Sequence, residues 1–186
     1  MSAPGNVRKS TTSRDDWRTP QDLFDLINAQ IEGGGFTLDA AADANNTKCA
    51  KFYSLEDDAF QQTPVGENIW CNPPYGHLDK WIELFARWTM NENYIIALLP
   101  VATETQWFER MWFCSYSINF LLKRVQFLDE NGNLPVDARG KRTGNTTGSM
   151  VVEFAPRPTR MTYTNPRVQI VNWQQGVDNM KKSGNM

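Results

Sequence analysis

No apolar run in the sequence approaches the ~20 residues that a helix needs to cross a hydrocarbon layer, which argues against a membrane-spanning protein. Met1 to Arg14 is polar and basic and lacks the apolar stretch of a signal peptide, so the expected location is the cytoplasm. Cysteine is scarce. Cys49, Cys71 and Cys114 are an odd number without close pairing, which excludes a disulfide framework and the ligand spacing of a structural zinc site; no metal is expected. The lone histidine, His77, offers little for imidazole chemistry and reads as a helix-start residue. An excess of positive charge is also missing. The formal net charge is -2, so any contact with nucleic acid would have to come from local basic patches.

What is present belongs to an ordinary globular chain: 40% apolar and 22% charged residues in a length of 186 that suits one catalytic-sized domain. Residues 1–14 read as a flexible basic arm carrying Arg8, Lys9 and Arg14. Thr19 is placed to cap a helix that opens at Pro20 and carries Leu23, Phe24, Ile27 and Ile31 on one face, with Gly33-Gly34-Gly35 ending it. Short strands are expected at 36–39 and 51–54, a loop at 55–66, and a buried strand at 68–71. A helix follows over 77–90, then the continuous apolar strand 94–99 closed by Pro100. A helix at 105–113, a strand at 117–122 extended or partnered by 124–127, and a strand at 150–154 complete the pattern. Strands alternating with helices imply an α/β sheet of largely parallel strands. Residues 157–186 form a polar extension to which no role can be given.

Chemistry concentrates in Asn72-Pro73-Pro74-Tyr75, delivered at the carboxyl end of the strand 68–71. Two consecutive prolines fix two φ angles and remove two backbone donors, so the loop presents acceptors. The Asn72 side-chain oxygen and the Pro73 carbonyl could each take one proton of an amine. That draws the nitrogen lone pair out of conjugation and toward an electrophile.

The stretch resembles the phage and prophage DNA adenine-N6 methyltransferases. The likeness is carried by Trp17 with Thr19-Pro20, Leu38-Asp39-Ala40-Ala41, Asp57-Asp58-Ala59, Trp70-Cys71-Asn72-Pro73-Pro74-Tyr75, the 124–127 segment and Gly148-Ser149-Met150-Val151-Val152. It spans roughly residues 15–155, which defines the expected methyltransferase domain as 15–156. The resemblance implies a pared-down, doubly wound, Rossmann-like sheet and S-adenosylmethionine as cofactor. It also implies double-stranded DNA as partner, with the target base flipped out and Tyr75 stacked on it. By position, Thr19 and Pro20 would lie near the methionine end of the cofactor. Asp39, followed by Ala40, would lie beside its amino group or ribose, and Asp58 near its adenine. The sequence departs from the broader methyltransferase pattern in having Ala40-Ala41-Ala42 where a Gly-x-Gly is usual. Arg139, Lys141 and Arg142, set among glycines in the long polar segment 129–147, suit contact with DNA.

Two other readings stay open at this level. Loops of related type methylate protein glutamine and cytosine amines; asparagine at the first position leans toward adenine or glutamine. A module that binds DNA without catalysis, having lost the cofactor with its glycines, belongs to a different class. The recognised DNA site and the oligomeric state are not encoded in any visible motif.

Overall fold

The computed structural model describes residues 17–136, 139, 141–142, 144–156 and 165–184; the expected basic arm at 1–14 lies outside them. In chain order the elements are α1 (Gln21–Asn28), β1 (Leu38–Asp39), β2 (Lys51–Phe52), β3 (Asn68–Cys71), α2 (Leu78–Thr89), β4 (Tyr94–Pro100), α3 (Gln106–Cys114), β5 (Ser117–Leu121), β6 (Ser149–Phe154), β7 (Arg167–Val171) and α4 (Trp173–Ser183).

The seven strands form one sheet in the order β2-β1-β3-β4-β6-β5-β7. Pairing is parallel from β2 through β4 and between β5 and β7, and β6 runs antiparallel to both its neighbours. Six strands therefore end at the same edge. Strand alternation divides the side chains between two faces. On one face Ile69, Cys71, Ile95, Ala97 and Leu99 meet α2 and α3. On the other, Trp70, Ile96, Leu98 and Val151 meet α1 and α4. Burial on both sides accounts for the unbroken apolar run of β4.

Helix α1 buries Leu23, Phe24 and Ile27, and Phe24 stands edge-on to Trp70 with ring centroids 5.4 Å apart. Its N-cap is Pro20, with no side-chain cap, so the capping role expected of Thr19 is not observed. Extended backbone at Pro20 (ψ 138°) starts the helix one residue late and leaves the Thr19 hydroxyl unused by it. The segment 124–127 is not a strand. It runs as irregular backbone until Arg18 and Leu128 exchange two hydrogen bonds of 2.8 and 3.0 Å. Strands β1 and β2 are shorter than expected, two residues each. Residues 165–184, which the sequence left without a role, place β7 beside β5 and pack α4 on α1. No described helix is long and apolar enough to cross a membrane.

Candidate active site at the carboxyl edge of the sheet

Chain connectivity reverses between β1 and β3, since β1 leads outward to β2 and the chain then returns to the other side of β1. In open α/β sheets such a reversal opens a crevice at the carboxyl ends of the two strands. Here β1 delivers Asp39 to that crevice, and β3 leads directly into Asn72. Trp17, Arg18, Thr19, Asp39, Ala41, Asn46, Lys48, Trp70 and Asn72 line it. Its volume of about 40 Å³ has room for one small polar group, not for a whole nucleoside.

Asn72 is oriented by the chain far before it: its Nδ2 donates to the Trp17 carbonyl at 3.2 Å. With the amide so fixed, Oδ1 points elsewhere, buried and without a hydrogen-bond partner among the described residues. The Thr19 hydroxyl is in the same condition. A buried polar atom left unpaired costs about 1–3 kcal/mol, which a ligand that hydrogen-bonds to it recovers. Trp17 is held in turn by Phe127, its ring stacked on the phenyl at 6.2 Å.

After Asn72 the two prolines lead the chain toward α2. Pro73 is buried, and Pro74 is exposed in extended conformation (φ -56°, ψ 129°). Tyr75 then opens a 3-10 turn, Tyr75–His77, that leads into α2. Its ring is half-buried against the cluster beneath α2, and burial raises its hydroxyl pKa. His77 is exposed and makes no capping bond.

Asp39 is only 3% exposed. Its carboxylate accepts the backbone N–H of Lys48 at 2.9 Å and of Ala41 at 3.4 Å. Desolvation nevertheless outweighs these bonds and pushes its pKa up to about 6. The Lys48 ammonium donates to Gln21 at 2.7 Å, and burial lowers its pKa. A buried carboxylate beside an ammonium and an unpaired hydroxyl form a donor and acceptor set suited to a zwitterionic or hydroxyl-bearing ligand.

The structure thus brings Thr19, Asp39 and Asn72 together, with Pro20 and Ala40 adjacent in the chain. Asp58 is not among the residues lining the crevice. It sits exposed in left-handed conformation (φ 49°), its carboxylate accepting Phe60 N–H at the start of a 3-10 turn. Arg139, Lys141 and Arg142 are exposed on the β5–β6 connection, where Arg142 pairs with Val136 across an isolated bridge. Sequence reasoning missed Lys48, Asn46 and Arg18. Only the return of the 40–48 loop onto Asp39 brings the first two to the site, and no local pattern announces that return.

The chain is similar to known proteins along most of its length. Over 159 residues, 84% of this chain and 87% of the relative, the chain is 26% identical to a DNA N-6-adenine-methyltransferase of Haemophilus phage HP1 (strain HP1c1). Over 98 residues it is 36% identical to the protein of the same name from Escherichia phage T1; that match covers 51% of this chain and 40% of the T1 protein. Residues 6–184, nearly the whole chain, match the family described as DNA N-6-adenine-methyltransferase (Dam), and the chain belongs to that family.

Proposed function

We propose that the protein transfers a methyl group from S-adenosylmethionine to the N6 amine of adenine in duplex DNA, in a phage or prophage setting. The observation that carries this reading is the buried, unpaired Asn72 Oδ1, fixed by the Trp17 carbonyl at the end of β3. An adenine amine has two protons to donate and a lone pair delocalised into the ring. Asn72 Oδ1 and the Pro73 carbonyl each accept one proton, which pyramidalises the nitrogen and directs its lone pair outward. Preorganised acceptors of this kind lower the barrier because no solvent has to reorganise. The nitrogen would form its bond to the methyl carbon as the carbon–sulfur bond breaks and the sulfur leaves as a neutral thioether; the methylated amine would then give up one proton to water, so no general base is needed. Tyr75 offers a ring on which the base stacks once it has left the duplex.

S-adenosylmethionine supplies an electrophilic methyl on a sulfonium when bound. The residues present suit its polar end. Asp39 faces the ammonium or a ribose hydroxyl, Thr19 contributes its unpaired hydroxyl beside Pro20, and Lys48 faces a carboxylate. Ala40 follows Asp39 where glycines are usual in methyltransferases, and the β1–β2 and β2–β3 connections, which carry no α-helix, support reading the sheet as a pared-down form of the doubly wound fold. Arg139, Lys141 and Arg142 extend toward the DNA from the β5–β6 connection.

Transfer of radiolabelled methyl from S-adenosylmethionine to unmethylated duplex DNA, with digestion to nucleosides, tests the reading. Label in N6-methyladenine is expected from the native chain, and Asn72→Ala should lower the rate by about 100-fold or more, as loss of a preorganised hydrogen-bonding group does. A folded chain that binds the cofactor by calorimetry yet leaves DNA unlabelled would sink the proposal and point to a protein amide as acceptor.

A further inference from the structure

The same edge of the sheet carries a second opening of different chemistry. It is a cleft of about 560 Å³ between the 123–127 segment that follows β5 and Arg142 with residues 144–146 before β6, with Gln174 of α4 at its side. Lys123, Arg124 and Arg142 line it, and among the described residues no Asp or Glu does. Arg124 donates to the Asn145 carbonyl at 3.4 Å, a neutral partner. The salt bridges among the described residues are Lys51–Glu67, Arg110–Glu83 and Lys181–Asp22, so no described carboxylate pairs with the three cations of the cleft.

Clustered like charges repel one another and destabilise the compact chain, so this arrangement brings a benefit only when an anion enters. Backbone strain points the same way. Lys123 occupies the left-handed region at φ 63°, a conformation costing a non-glycine residue about 1–3 kcal/mol and concentrated at functional positions. The adjoining cleft shares Gln126, Leu134 and Gln174 but carries Asp22, Asp178 and Lys181, the last paired with Asp22, so the excess of cations stops at that side. Phe127, also in the lining, stacks on the Trp17 whose carbonyl holds Asn72.

We infer that this cleft holds the phosphate backbone of the duplex next to the target adenine, with Lys123, Arg124 and Arg142 on phosphate oxygens. The inference rests on the DNA-methylating reading above and assigns Lys123 and Arg124 a role beside Arg142. The two guanidinium groups suit phosphate in the forked geometry that arginine favours. Gln126, Asn145, Thr146 and Gln174 add hydrogen-bonding groups without opposing charge. The C-terminal helix thereby contributes to substrate binding through Gln174.

Anisotropy titration of the full chain with a labelled duplex over a range of potassium chloride concentrations tests this. Each phosphate contact contributes about 0.9 to the slope of log affinity against log salt. Lys123→Ala and Arg142→Ala should each flatten the native slope by that amount, whereas Lys80→Ala, on α2 across the opposite face of the sheet, should leave it unchanged. Should Lys123→Ala disturb the bend after β5, Arg142→Ala in the exposed connection gives the same reading without that risk. Native slopes in both cleft variants, from a chain that still labels DNA, would overturn the inference alone. Absence of label in the native chain would overturn the methylation reading instead.

Discussion

Asp39 sets the stability of the fold against the ligand role proposed for it. Its pKa of about 6 lies above the ordinary 3.8, because burial penalises the charged form more than two backbone N–H groups favour it. The folded state therefore binds the proton more readily than the unfolded one. Stability falls as pH rises from about 4 to about 6 and then levels, at a cost of up to about 3 kcal/mol. A ligand ammonium held by the carboxylate needs the opposite condition. Cofactor affinity measured by calorimetry should drop as pH falls below about 6, by up to about tenfold per unit. In Asp39→Asn this dependence should vanish and affinity at neutral pH should weaken by about 10- to 100-fold. The same variant should melt at higher temperature at neutral pH, since the buried charge is gone. If affinity is unchanged at neutral pH, Asp39 has no part in binding.

Among the elements, the C-terminal pair β7 and α4 is the one whose contribution is least expected from its surroundings in the sequence. Trp173, 6% exposed, packs with Leu23, Phe24 and Ile27 of α1 and with the sheet beneath. Trp173→Ala should cost about 3–5 kcal/mol in urea unfolding, as other large core truncations do; a loss under about 1 kcal/mol would show that α4 is not part of the cooperative unit. Arg167-Val168-Gln169-Ile170-Val171 does alternate, but Pro- and Asn-rich neighbours mask it, and four of its five residues are exposed. Helices α1 to α3 were legible because each buries one stripe at helical spacing. The start of α1 was not, because the side chain suited to capping it, Thr19, faces the crevice instead. Nor was the irregular path of 124–127: Val125 and Phe127 alternate as a strand would and are buried, yet their backbone makes no ladder.

For the molecule as a whole, the order of strands decides where chemistry can occur, and that order is only partly visible in the sequence. Asn72-Pro73-Pro74-Tyr75 after a buried strand was legible from the prolines and the apolar run alone. Asp39 and Thr19 were named through the family resemblance, but their meeting with Trp17 and Asn72 was not legible, because these residues converge only once β1 and β3 are paired and the N-terminal segment crosses their ends. The cationic cleft was legible in one of its three charges, Arg142. Lys123 and Arg124 follow a strand directly and carry no glycine-rich context to mark them.

The bridge between Arg18 and Leu128 has a consequence in time. It joins positions separated by 110 residues and, through Trp17, sets the amide of Asn72. Contacts so distant in sequence form late, because the intervening chain must be ordered before closing the loop gains anything. When the protein refolds from urea, far-ultraviolet ellipticity should therefore return before methyl transfer does, and simultaneous recovery would show that the bridge is already present as the sheet assembles. A nascent or partly unfolded chain is then catalytically silent, and DNA meets an active enzyme only after the first and last thirds of the fold have closed on each other.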